Sequence, residues 1–236
     1  MEKKNIFVVG GSSGIGLEIV RILSQDGHNV FVGSRKNDRL QGLEGVNHLK
    51  LDVTAESLRF DGLPNALDGM VYCPGTIQLR PFQRLSIDDF MADLNVNYLG
   101  AVKSIQGVIT RLKKSKSVSS VVLFSTVAVN TGMPFHASIS GAKGAVEGLT
   151  RSLAAEFAPR IRFNAIAPSL TDTPLAGSLL NSDTRRAAAA ERHPLKRIGD
   201  PSETARAVHY LLSAESAFMT GQVLALDGGL SSVKLF

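Results

Sequence analysis

The sequence predicts an α/β fold: a doubly wound parallel sheet with helices on both faces, in a single domain. Three observations lead there. Short apolar runs alternate with longer amphipathic stretches along the chain. The first run, Asn5-Ile-Phe-Val-Val9, lacks polar alternation, the pattern of a strand covered on both sides. The glycine-rich turn Gly10-Gly-Ser-Ser-Gly14-Ile-Gly16 then joins that run directly to a helix carrying Ile15, Ile19, Ile22 and Leu23 on one side.

The alternation continues in order. Strands are expected at 29–32, 48–51 and 69–72, a helix at about 87–113, a strand at 118–124 and a helix after Ser138. A strand at 162–167, a helix from Ser202 and a last strand at 222–226 complete the series. The segment 170–199, rich in alanine and charge, is expected outside the sheet, as an excursion of one domain spanning 1–236. With 44% hydrophobic and 20% charged residues, a chain of 236 has material for a sizeable core.

Composition narrows the function classes. The net charge is +5, but the basic residues are scattered, and their densest groups, at 111–116 and 185–197, carry no interleaved aromatics. Nucleic acid is therefore not an expected partner. No apolar run approaches the ~18 residues of a membrane span, and the start Met1-Glu-Lys-Lys-Asn5 lacks the pattern of a secretory signal. The cytoplasm is the expected compartment. A single cysteine, Cys73, excludes a disulfide framework and a cysteine-rich metal site, and its apolar neighbours suit a buried, inert thiol.

Chemistry enters at the glycine turn. Glycines let a backbone turn sharply and approach a ligand, and the helix that follows offers unpaired N–H groups and a positive dipole end to a phosphate. A dinucleotide pyrophosphate fits such a turn. Near the end of the second strand the text reads Val32-Gly-Ser34-Arg35-Lys36. A hydroxyl and a guanidinium suit a ribose 2′-phosphate, where a carboxylate would signal the unphosphorylated cofactor, so NADP(H) is expected; two solvated loop cations are the plain alternative. Asp52, closing the third strand, suits either an adenine amino group or a turn held through Thr54.

Several further segments join these: Asp52-Val53, Pro74-Gly75, Asn95-Val-Asn97-Tyr-Leu-Gly100, Phe124-Ser-Thr-Val-Ala128, Gly141-Ala-Lys143-Gly-Ala, Arg162-Phe-Asn-Ala-Ile-Ala-Pro168 and Gly221-Gln-Val-Leu-Ala-Leu-Asp-Gly-Gly229. Together with the glycine turn they resemble the short-chain dehydrogenase/reductase family over essentially the whole chain. The resemblance implies a Rossmann-like fold and redox chemistry between a nicotinamide cofactor and a small-molecule carbonyl or alcohol. It implies cofactor contacts at Gly10, Ser12, Ser13, Gly14, Ile15, Gly16, Ser34, Arg35, Asp52, Val53, Pro74, Gly75, Lys143, Pro168, Leu170 and Thr173, and no metal. It also implies homo-oligomers built on the helices after Asn97 and after Ser138. Their apolar and small residues (Ala101, Ile105, Val108, Ile109; Ala142, Ala145, Val146, Leu149) are more than burial against one sheet requires, which favours a tetramer over a dimer.

The family's catalytic set is a serine, a tyrosine, a lysine four residues beyond it, and an asparagine. Carried over position by position, Lys143 and Asn97 match, Lys143 for the nicotinamide ribose and Asn97 for a water or the helix bend; Thr126 falls on the serine with Ser125 beside it, and the tyrosine position holds Ile139. Isoleucine neither gives nor takes a proton. His136, Ser138, Ser140, Thr126 and Tyr98 lie near enough in sequence to lend a group, and none stands out. Lesser departures are Val9, Tyr72-Cys73 and Ser169. Two readings follow: an atypical NADP(H)-dependent oxidoreductase, or an NADP(H)-binding sensor or partner protein with little turnover. An open cavity with a polar end on the substrate side favours the first. A site filled by Ile139 and 170–199 favours the second.

Overall fold

The uninterrupted apolar run at the start of the chain forms β1 (Asn5–Val9), and its two sets of alternating side chains enter two separate cores. Ile6 and Val8 pack with α1 (Gly14–Gln25) and α7 (Pro201–Leu212), while Phe7 and Val9 pack with α3 (Gly100–Lys113) and α5 (Ala137–Phe157). A strand buried on both faces has no solvent side to keep polar, which is why its sequence does not alternate. The structure, a computed structural model, describes residues 3–234.

β1 lies third in a seven-stranded parallel sheet ordered β3-β2-β1-β4-β5-β6-β7. The other strands are β2 (Asn29–Ser34), β3 (Val46–Lys50), β4 (Gly69–Tyr72), β5 (Ser119–Phe124), β6 (Ile161–Pro168) and β7 (Val223–Leu226). Chain order runs outward in both directions from the β1–β4 boundary, so a crevice opens there at the carboxyl ends of the strands. The expected doubly wound sheet is present, with every expected strand within two residues of its place.

The helix expected at 87–113 is α2 (Ile87–Leu94), a π-helical turn (Asn95–Leu99) and α3 in succession. Two side chains and a glycine account for the bulge. Asn97 Nδ2 donates to the Asp93 carbonyl at 2.8 Å, and the Tyr72 hydroxyl donates to the Val96 carbonyl at 2.5 Å. Gly100 makes room for Tyr72, whose Oη would lie 2.2 Å from a Cβ there. A short helix α4 (Ala128–Thr131) follows β5, and α5 begins at Ala137, one residue before Ser138.

The segment 170–199 stands outside the seven-stranded sheet. It leaves and returns at one point: Thr171 and Gly199 form a bridge, and Gly199 N donates to Leu170 O at 3.0 Å. Between them lie a short turn (Pro174–Ala176) and α6 (Asp183–Glu191), held on a small core of Ala176, Leu180 and Ala189. Among the described residues no helix is long and apolar enough to cross a membrane.

Candidate active site

The glycine turn is shaped by close approach. Gly10 has φ +79°, and a Cβ on Gly16 would sit 2.3 Å from the Gly10 carbonyl oxygen, so a side chain there would push the turn off the helix. Ser13 caps α1 without a side-chain hydrogen bond to the first turn, which carries no acidic residue. The open N–H groups of that turn therefore face a cleft of about 1020 Å³.

That cleft brings together most of the residues expected to hold a cofactor: Gly10, Ser12, Ser13, Gly14, Ile15, Gly16, Ser34, Arg35, Asp52, Val53, Pro74, Gly75 and Thr173 all line it. Lys36, Arg39 and Thr76 line it as well. Ser34 differs from expectation in its chemistry. Its hydroxyl is buried, donates to Lys36 O at 2.7 Å and lies 3.0 Å from His48 Nε2, so the charge lining the cleft at the end of β2 comes from Arg35, Lys36 and Arg39, with Asp38 among them. Asp52 accepts from the hydroxyl (2.7 Å) and N–H (3.0 Å) of Thr54; those bonds hold its carboxyl below the usual carboxylate range, and the turn role left open by the sequence is present.

Lys143 reaches the site from α5. Buried, it donates to the Phe124 carbonyl at 2.8 Å, and burial pulls its ammonium down to about 8, against the raising influence of Cys73 and Asp93. Asn97 comes up behind Gly75: a Cβ on that glycine would lie 3.3 Å from Asn97 Oδ1 and 3.7 Å from Lys143 Nζ. Thr126 is half-buried, its Oγ1 accepting from Ala128 N at 3.4 Å. Pro168 ends β6, and its carbonyl accepts from Val127 N.

Two expected site residues are turned elsewhere. Ser125 is buried and donates to Glu147 Oε1 at 2.7 Å, which leaves Thr126 as the hydroxyl of that pair for a ligand. The Leu170 side chain packs on the small core of the 170–199 excursion instead of against the cleft. Ile139 is itself buried, one turn from Lys143. Of the nearby groups, His136 Nδ1 lies 2.7 Å from the Pro134 carbonyl, and Tyr98 packs against a core. Cys73 lines the cleft, and burial pushes its thiol up to about 12, as suits an inert cysteine.

Sequence reasoning did not single out Thr76 and Asp93. Asp93 is fully buried and takes hydrogen bonds from Thr76 and from Ser138, the latter at 2.6 Å. An aspartate in an amphipathic helix reads as a solvated one, and no spacing in the text marks this one as buried. A second cavity, about 490 Å³, adjoins this region, lined by Ile77, Gln78, Leu79, Arg80, Asp89, Ser178 and Leu179. At the other end of the sheet Asp26, His28 and His209 bring three ligand-type atoms within 4.8 Å of one another.

The cleft suits a dinucleotide by its own features: unfilled helix N–H groups, a glycine cradle that a Cβ would close, and cations at the far end. Residues 9–231 match the family described as enoyl-(acyl carrier protein) reductase. The 3-oxoacyl-[acyl-carrier-protein] reductase of Thermotoga maritima is 31% identical over 245 residues, covering 98% of each chain. The ligand-free aldohexose dehydrogenase of Thermoplasma acidophilum superposes with a TM-score of 0.90 at 29% identity, covering 100% of this chain and 96% of that one. A gluconate 5-dehydrogenase from Burkholderia cenocepacia, solved with NADP and tartrate, gives a TM-score of 0.89 at 26% identity, covering 99% and 97%.

Proposed function

The chain belongs to the short-chain dehydrogenase/reductase family, and on that premise we propose that it is an atypical NADP(H)-dependent oxidoreductase, reducing a small-molecule carbonyl or oxidising the corresponding alcohol without a phenol at position 139. The observation that carries turnover over mere cofactor sensing is the second cavity. It lies between the segment after β4 and the 170–199 excursion, has Arg80, Asp89, Gln78 and Ser178 in its wall, and does not have Ile139 among its lining residues. It adjoins the site through Asp89, whose carbonyl lies 3.3 Å from Ser138 Oγ.

NADPH supplies hydride when bound. The first turn of α1 would hold its pyrophosphate, Arg35, Lys36 and Arg39 its 2′-phosphate, and Asp52 the adenine edge. At the other end Lys143 keeps an ammonium with a pKa near 8, within the range where a general acid is effective at neutral pH. The substrate oxygen takes its proton from this ammonium through a water ordered by Asn97 Oδ1 and the Thr126 hydroxyl. Positioning alone supplies roughly 7–11 kcal/mol, so such a site turns over without a phenol.

Assembly belongs to the same proposal: a homo-oligomer in the cytosol, a tetramer over a dimer. The named apolar residues of α3 and α5 are mostly taken up by the subunit's own core. The face left for a partner is instead the small-residue stripe Gly141, Gly148 and Ser152, with open space beside both glycines. Sedimentation tests this, and a monomer at micromolar concentration removes it. The activity is tested by following NADPH oxidation with a panel of aldehydes, diketones and 3-oxo esters. Tight NADPH binding with no oxidation by any of them moves the assignment to a sensor.

A further inference from the structure

Asp93 is a fully buried carboxylate with no part in the chemistry set out above. Both of its oxygens are occupied: Thr76 Oγ1 donates to Oδ1, and Ser138 Oγ donates to Oδ2 at 2.6 Å. Because Thr76 gives its one hydrogen to Asp93, its oxygen accepts from Asn97, whose Nδ2 lies 2.8 Å away. The second hydrogen of that amide goes to the Asp93 carbonyl, also at 2.8 Å. With both hydrogens assigned, the amide has one orientation. Its oxygen faces the other way, and there it is buried without a hydrogen-bond partner among the described residues.

That oxygen and Lys143 Nζ both approach the same patch of cleft wall at Gly75. Lys143 has hydrogens left for it, since the bond to Phe124 O uses one of three. An unpartnered acceptor beside a charged donor is what a hydroxyl group needs, because a hydroxyl both gives and takes a hydrogen bond.

We propose that Asp93 is the positioning residue of this site: its buried negative charge keeps Lys143 an ammonium and, through Thr76, turns the Asn97 carbonyl oxygen towards the cleft, where oxygen and ammonium together receive a hydroxyl group of the bound ligand. The inference rests on the NADP(H) reading only for the ligand's identity. Other charged groups around the pair are already satisfied. Cys73, at the end of β4, stays a neutral thiol; Asp89, on α2, caps Ser86 and pairs with Arg80; Glu147, on α5, is bonded to Ser125 and Arg151. Asp93 is the carboxylate that raises Lys143 against its burial.

The test is the titration of Lys143 in the full-length protein, read by NMR of lysine-labelled samples and assigned with Lys143→Met. Asp93→Asn should lower its midpoint by roughly one unit. Asp88→Asn, which removes the same charge from the exposed face of the same helix, should leave it in place. Thr76→Val keeps the charge but cuts the route to Asn97. It should weaken NADPH binding about tenfold, the worth of one hydrogen bond, with the Lys143 midpoint unmoved. Should Asp93→Asn fail to fold, Asp93→Ser removes the same charge with a smaller side chain and should move the midpoint in the same direction. An unmoved midpoint in the Asp93 variants overturns the proposal, whether or not the parent reduces any carbonyl. A lowered midpoint in a protein that binds no NADPH leaves Asp93 in its role and overturns the proposed function instead.

Discussion

Replacing Lys143 with methionine separates what this residue does for the site from what it does to the fold. Burial takes its ammonium from 10.5 to about 8. A lysine depressed in the folded state binds fewer protons there than in the unfolded chain, so stability rises with pH between the two values. The folded state is penalised below pH 8, and the penalty lifts as pH climbs towards 10.5. The difference, 10.5 − 8 or about 2.5 units, corresponds to about 3.4 kcal/mol at low pH. Linkage returns about 2.5 kcal/mol of this between pH 7 and pH 10. Methionine is of similar length and does not titrate, and loss of the bond to Phe124 O acts at both pH values. The stability of Lys143→Met relative to the parent should therefore be greater at pH 7 than at pH 10 by about 2.5 kcal/mol. For a chain of this size that is roughly 5–10 °C in Tm. NADPH affinity should fall at both. Thermal melts of the two proteins at the two pH values, at matched ionic strength, provide the comparison. An equal Tm difference at both would mean that Lys143 titrates as it does in solution, and the site chemistry built on a weakened ammonium would fall with it.

NADPH should bind more tightly than NADH, and Arg35→Ala should narrow the gap by about tenfold or more, the worth of a charge-assisted contact; equal dissociation constants in the parent would contradict the assignment of Arg35. Ile139→Tyr should raise carbonyl reduction by up to the ~10²–10⁴ of a general acid, because the phenol would stand one turn from Lys143. A variant that folds and binds NADPH but reduces nothing faster than the parent refutes the view of Ile139 as a missing acid. Gly16→Ala places its Cβ 2.3 Å from the Gly10 carbonyl oxygen and should cost about 1–3 kcal/mol of stability and most cofactor affinity, as read by melts and fluorescence titration.

Much of this architecture was legible because the signals were local. A strand such as Asn5–Val9 carries its two-sided burial in consecutive letters, and the turn from Gly10 to Gly16 carries its backbone demands in residue type. The π turn at Asn95–Leu99 was not legible, since it depends on Tyr72 and Gly100, which meet only in the fold. The same distance hid the fates of individual hydroxyls. Ser34 and Ser125 looked like ligands for a bound molecule, but a serine beside a partner such as His48 or Glu147 satisfies itself within the protein. Asp93 was hidden for the opposite reason: its partners, Thr76 and Ser138, come from two other parts of the chain.

The excursion at 170–199 departs and returns at one doorway, the Thr171–Gly199 bridge, and rests on a small core of its own. A segment anchored in this way can be exchanged for one of another length or composition with little effect on the sheet, because the entropy of closing a loop grows only as the logarithm of its length. Arg186 secures it from within, through two bonds of 2.7 and 3.0 Å to Asp172. The glycine turn and Lys143 lie on the scaffold, whereas Ser178 and Leu179 of the second cavity lie on the excursion, whose first residues, Thr173 among them, also line the cleft. Under the proposed function, exchanging the stretch around Ser178 and Leu179 between related chains while keeping Thr173 should change which substrate fits and leave the cleft intact.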